Sequence, residues 1–218
     1  MKIKLTAFQQ PVFREPLENL ECTLDMIEAN KDTDWILTPE CAVSGYCQPP
    51  VLYQPVTVQV QHVELAITKI AERAKELGVG IGIGSSIRGK DTFPYNGILF
   101  YNKAGEHVSV YKKRLLTQGW EGGGELHSYL AGQVPSYFYL DEHEQVKASA
   151  LICNDIWCMP RSAPKGNPYL PIELAKNIVD VLFVASNCNG EELDPLAKVW
   201  NENHLQIFAK EFGFYIVH

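Results

Sequence analysis

At 218 residues, 46% of them hydrophobic, the chain carries enough apolar material for a sizeable core without disulfide support. A formal net charge of -7 and a pI near 5.4 argue against a nucleic-acid partner, which would need clustered Lys and Arg, and the sole basic run is Lys112-Lys113-Arg114. No apolar run is long enough to span a bilayer and the first ten residues alternate like a strand, so a single domain over 1–218, a cytoplasmic location and no membrane contact are the expectations.

In chain order, strand-like runs recur at 2–8, 35–38, 79–87, 97–102, 107–112, 137–140, 146–153, 181–186 and 214–217. Many are apolar almost throughout, which predicts strands covered on both faces. Between them lie helical stripes. Leu17, Leu20, Leu24 and Ile27 form the first; Val63, Ala66, Ile67, Ile70, Ala74 and Leu77 form the second, stopped by Gly78. A third helix is predicted from Asp194 as N-cap, with Pro195 in its first turn, past Leu196, Val199, Trp200 and Ile207. Amphipathic helices alternating with buried strands describe an α/β layered fold. The glycines of Gly80-Ile81-Gly82-Ile83-Gly84 fall within a strand that follows a helix, which is the wrong order for a dinucleotide loop, so they predict close backbone packing.

The cysteines, Cys22, Cys41, Cys47, Cys153, Cys158 and Cys188, contain no CxxC pair and have no zinc-finger His spacing, so neither a metal nor another cofactor is expected. Three segments share one design, an apolar strand ending in a chemically active residue followed by turn-formers: Trp35 to Glu40, Val108 to Lys113 and Ala148 to Asp155. Strand ends in α/β sheets collect catalytic groups because the strand fixes the side chain while the loop gives access. A carboxylate, an ammonium and a thiol can therefore meet. Taken singly, Glu40 reads as a solvated carboxylate, Lys113 as a surface lysine and Cys153 as a core thiol; only the combination points to chemistry. Asp155 reads as an organiser of local backbone N–H groups. The histidines, His62, His107, His127, His143, His204 and His218, show no signature of a Cys–His enzyme.

These segments resemble the nitrilase superfamily. Pro39-Glu40 with Gly45-Tyr46 is similar to the stretch around its catalytic glutamate, Tyr111-Lys112-Lys113-Arg114-Leu115-Leu116 to its lysine segment, and Ile152-Cys153-Asn154-Asp155 to its nucleophile segment. Tyr95-Asn96, Gly132, Pro171 and Glu173-Leu174-Ala175 fall at matching landmarks. The resemblance implies a four-layer α-β-β-α sandwich, here lacking the usual C-terminal strands, and a homodimer or higher homo-oligomer. It selects Lys113 over Lys112, and suggests Glu125 as a second glutamate, with Glu121 as competitor.

It also implies hydrolysis of a carbon–nitrogen bond through a thioester. A free thiol is only about 3% thiolate at pH 7 and needs a base and a cation. Glu40 would be that base, Lys113 the cation, and Lys113 with the Asn154 backbone N–H would hold the oxyanion. Tyr46, Trp120, Trp157 and Asn187 are the candidate pocket walls. A small amide is the expected substrate, with nitrile or carbamoyl compounds as alternatives. N-carbamoyl hydrolases carry paired arginines where Ile156-Trp157 stands here, although Arg161 is near in sequence. A binding module of the same fold without turnover is the reading from another class.

Overall fold

A computed structural model describes residues 2–46, 56–89, 93–117, 124–158, 166–187 and 195–218. Its first half builds a sheet of β1 (Leu5–Ala7), β2 (Trp35–Leu37), β3 (Gly80–Ile87), β4 (Tyr95–Tyr101) and β5 (His107–Lys112) in that spatial order. β1, β2 and β3 run parallel, and β4 and β5 return antiparallel. The second sheet has the order β6 (Phe138–Tyr139), β7 (Lys147–Ile152), β8 (Val181–Ala185), β9 (Tyr215–Val217). Helices α1 (Pro16–Ala29) and α2 (Val56–Leu77) follow β1 and β2, while α3 (Leu170–Lys176) and α4 (Pro195–Phe212) follow β7 and β8.

Side-chain alternation assigns the layers. Ile36, Ile81 and Ile83 pack with Leu20 and Ile27 of α1 and Ala66, Ile70 and Ala74 of α2. Their neighbours Trp35 and Leu37 point the other way, into a core shared with Ile98 and Phe100 of the first sheet and Phe138, Ala148, Ala150 and Phe183 of the second. Aromatic rings bridge the sheets: Phe138 lies 4.2 Å from Phe100 and 5.4 Å from Trp35 between centroids. The Trp35 indole N–H donates to the Leu140 carbonyl at 3.0 Å, so the one polar atom of this ring is satisfied. The β3 glycines are what let these rings lie flat: a Cβ on Gly80 would come within 2.5 Å of the Trp35 ring, and one on Gly82 within 2.6 Å of Phe100.

The predicted strands all form, with ends shifted by at most three residues, and the α/β sandwich is the fold observed. Two helical details differ from expectation. The short helix α3 escapes a periodicity reading because seven residues span barely two turns. In α4, the stripe of Val199, Trp200 and Ile207 is about half exposed, whereas Phe208 is fully buried. The helix thus turns Phe208 and Phe212, which pack on Tyr169, toward the second sheet. The N-cap assigned to Asp194 lies outside the described residues.

Candidate active site

Glu40, Lys113 and Cys153 follow the C-terminal ends of β2, β5 and β7. The loop carrying Glu40 is stapled to β3. The Thr38 hydroxyl accepts the Gly84 N–H at 2.8 Å, Val43 N–H donates to the Gly84 carbonyl at 3.1 Å, and the Ser44 hydroxyl accepts the Ser86 N–H at 2.8 Å. From α1, buried Asn19 donates to the Val43 carbonyl at 3.1 Å. Lys113 is fixed through its backbone, N–H to the Asn96 carbonyl at 2.8 Å and carbonyl from the Gly132 N–H at 2.7 Å. Gly132 has to be glycine for this approach, since a Cβ would sit 2.1 Å from the Lys112 carbonyl oxygen.

Side-chain direction separates the two lysines. Lys112 turns outward over the Tyr95 ring, 3.9 Å from its centroid, while Lys113 is completely buried. The Lys113 ammonium donates to Glu40 Oε1 at 2.8 Å and to Glu125 Oε1 at 2.9 Å, and lies 2.8 Å from Glu125 Oε2. Glu125 opens a short 3-10 turn, Glu125–His127, and its Oε2 also accepts the Thr117 N–H at 2.9 Å and the Thr117 hydroxyl at 3.2 Å. Both carboxylates are buried, at 1% and 0% exposure, so the ammonium between them is what keeps two such charges tolerable away from water.

A residue that sequence reasoning placed only as a landmark completes this cluster. Asn96, buried on β4, donates from Nδ2 to Glu40 Oε1 and to Glu125 Oε1, each at 2.7 Å. Its Oδ1 accepts from the Cys41 thiol at 3.5 Å. A buried Asn in the otherwise apolar run Asn96-Gly97-Ile98-Leu99-Phe100 was the available signal.

The Cys153 segment leaves β7 through a second 3-10 turn, Cys153–Ile156. Cys153 has φ 42, in the left-handed region that a non-glycine residue adopts only at a cost of about 1–3 kcal/mol. Asp155 holds the turn there. Its Oδ2 accepts the Ile152 N–H at 3.0 Å and the Tyr111 hydroxyl at 2.8 Å; its Oδ1 accepts the N–H groups of Arg114 at 3.1 Å and Leu115 at 2.8 Å. One buried carboxylate thus ties the Cys153 turn to the loop after Lys113, the organising role expected of it. The Asn154 side chain makes a second tie, donating to the Leu115 carbonyl at 2.8 Å, so its amide faces the protein.

The electrostatics follow from burial and charge. Burial pushes the Glu40 carboxyl up and the Glu125 charge adds to this, against the pull of Lys113. Burial alone would push Lys113 down, but Glu40, Cys153 and Glu125 outweigh it and hold the ammonium well above its ordinary value. A thiolate on Cys153 therefore lies within electrostatic reach of Lys113. Cys41 is a second thiol near Glu40 among the described residues. Burial and the Glu40 charge push it well above its ordinary value, so it stays protonated. Cys158 is lifted by burial to about 12.

Of the expected pocket walls, Tyr46 packs on Cys41, Leu116 and Tyr129, and the Asn187 backbone N–H donates to Glu40 Oε2 at 3.0 Å. Trp157 is half-buried against the inter-sheet core, with its indole N–H buried and without a hydrogen-bond partner among the described residues. Trp120, Glu121 and Arg161 lie outside the described residues. Among the described residues no cluster of His, Cys, Asp or Glu is arranged to hold a metal ion, and no helix is long and apolar enough to cross a membrane.

Comparison with known proteins places this geometry in a family. A 2-oxoglutaramate amidase of Bacillus subtilis (strain 168) is 28% identical over 216 residues, which cover 89% of this chain and 79% of that protein. Among solved structures, an amidase from Nesterenkonia sp. AN1 superposes with a TM-score of 0.77 at 18% identity, over 99% of this chain and 76% of that one. A glutamine-dependent NAD+ synthetase from Acinetobacter baumannii does so with a TM-score of 0.76 at 20% identity, over 99% of this chain and 38% of that one. The sequence profile of the carbon-nitrogen hydrolase family matches residues 4–218, and with this match the chain belongs to the carbon-nitrogen hydrolase family.

Proposed function

We propose that the chain is an amidase that converts a small amide to an acid and ammonia through a thioester on Cys153. The observation that carries this reading is the Lys113 ammonium shared between two buried carboxylates, with Cys153 in its field. Glu40 takes the thiol proton, and the sulfur attacks the amide carbon. Lys113 and the Asn154 backbone N–H hold the oxyanion, a type of contact worth about 3–4 kcal/mol per donor. The tetrahedral adduct collapses, and the departing nitrogen takes the proton from Glu40 and leaves as ammonia. Water then gives a proton to Glu40 and its oxygen to the acyl carbon; the second collapse frees the acid and returns the proton to sulfur. Glu125, hydrogen-bonded to the Lys113 ammonium, helps to hold it in place and favours its charged form.

Two similarities support the bond type. The Bacillus relative is named for an amide of a 2-oxo acid, and a variant of the Nesterenkonia amidase carries an acetamide group on its active-site cysteine after fluoroacetamide treatment. The test is ammonia release from a panel of butyramide, 2-oxoglutaramate, an N-carbamoyl amino acid and a nitrile, with intact-mass analysis during turnover. An acyl adduct on Cys153 that is absent in Cys153→Ala is the expected result; an adduct on another cysteine overturns the assignment. Folded protein that leaves the whole panel untouched favours the non-catalytic module. The exposed Val199, Trp200 and Ile207 on α4 support self-association, which sedimentation measures directly.

A further inference from the structure

The hydrogen bonds around the two buried carboxylates are unequal, and the inequality singles out one oxygen atom. A carboxylate presents about four lone-pair sites, two on each oxygen. Glu125 has none to spare: its Oε1 accepts from Lys113 at 2.9 Å and Asn96 at 2.7 Å, and its Oε2 accepts from the Thr117 N–H at 2.9 Å and the Thr117 hydroxyl at 3.2 Å. Glu40 Oε1 is likewise filled, by Lys113 at 2.8 Å and Asn96 at 2.7 Å. Glu40 Oε2 accepts one bond among the described residues, from the Asn187 N–H at 3.0 Å. Among the described residues one lone pair of the cluster stays open, and it is on that atom.

Asn96 creates this inequality. Its amide has two N–H bonds and spends one on each carboxylate, so without it both Glu40 Oε1 and Glu125 Oε1 would have an open site. The amide is not free to turn over. In the reverse orientation its oxygen would face two carboxylates, and in the observed one it accepts from the Cys41 thiol at 3.5 Å. The same residue holds Lys113 through its backbone carbonyl at 2.8 Å. We infer that Asn96 is a positioning residue that makes Glu40 Oε2 the proton-accepting atom of the site and bars Glu125 from that role. This rests on the reading of Glu40 as the base for Cys153.

The test uses alkylation of Cys153 by iodoacetamide, mapped by peptide mass against the other cysteines, as a function of pH, together with turnover of butyramide. The charged and titratable groups facing the cluster are Glu40, Glu125, Lys113, Cys41, Tyr46 and Cys153. Asn96→Ala opens the competing sites and removes a donor from Glu40. Cys153 alkylation near neutral pH should then fall by about 100-fold, as for a misplaced reacting group, with kcat falling in parallel and KM nearly unchanged. Its acidic limb should move to higher pH. Asn96→Asp, which keeps the shape but replaces the two N–H donors with an acceptor, should move that limb further, by about one pH unit or more. A residue that only filled space would give a limb that does not move, and would tolerate Asp better than Ala.

Wild-type rate and an unshifted limb in folded Asn96→Asp overturn the inference. Where Asn96→Ala fails to fold by circular dichroism, the isosteric Asp variant carries the comparison. Glu40→Gln separates the two levels. If it keeps wild-type alkylation and turnover, the base assignment itself falls. If it loses both while the Asn96 variants behave as wild type, the base stands and only the role of Asn96 is lost.

Discussion

Replacing Lys113 by Met removes the ammonium while keeping most of the side-chain volume. In the native chain Lys113, Glu40 and Glu125 are all essentially inaccessible to water, so the variant buries two carboxylates whose remaining donors among the described residues are the Asn96 amide, the Thr117 hydroxyl and backbone N–H groups. Removing one partner of a buried ion pair costs about 3–5 kcal/mol, a large part of the 5–15 kcal/mol typical of a domain. The cost depends on pH. With Lys113 gone, its pull no longer opposes burial and the Glu125 charge, so the Glu40 carboxyl rises further above its ordinary 4.5. A group raised on folding contributes stability that is present below its unfolded value and lost as pH rises through its folded value. Lys113→Met should therefore fall about 4 kcal/mol below wild type at pH 8 and close much of that gap by pH 5, read from urea midpoints across the range. Activity should drop by at least about 100-fold, the loss of one oxyanion donor. A variant as stable as wild type at pH 8, with no pH dependence of its own, would show that the three groups are not paired away from water.

Other outcomes follow from neighbouring contacts. Burial lifts Asp155 to about 6 from an ordinary 3.8, so its contribution to stability is complete below about pH 4 and is lost as pH rises through about 6, on the order of 3 kcal/mol in all; Asp155→Asn should remove this slope from urea titrations. The same variant should lower Cys153 alkylation, since its amide keeps one acceptor oxygen and turns an NH2 group toward one of the two pairs of donors that the carboxylate satisfies. Gly132→Ala places a methyl group 2.1 Å from the Lys112 carbonyl oxygen and should cost about 1–3 kcal/mol by urea unfolding, with activity reduced about 100-fold as the lysine loop shifts. Cys41→Ala should leave the iodoacetamide adduct on Cys153 and reduce turnover by no more than about fivefold, the equivalent of one weak hydrogen bond.

Much of the fold was legible in local pattern because its strands are buried on both faces or alternate cleanly. The segments at 79–87, 146–153 and 181–186 are apolar runs bounded by turn-formers, and each became a strand with little change in its ends. The three candidate side chains were legible for a related reason: Lys113 and Cys153 directly follow strands and Glu40 stands in the loop after β2, so strand ends together with the family resemblance mark them. Helix α4 shows where pattern fails. Its sequence is apolar on more than one side, and the choice of Phe208 over Trp200 as the buried ring is made by Tyr169 and the second sheet, which one-dimensional periodicity does not contain.

By itself, then, the sequence determined which segments form strands and which residues stand at their ends, because period and turn chemistry are local properties of the chain. Tertiary structure alone decided how those ends interact. Asn96 becomes a donor to two carboxylates, Asp155 a tie between two loops and Cys41 a silent thiol, because segments 29 to 56 residues apart converge in a space from which water is excluded. There, a single hydrogen bond sets which atom can take a proton.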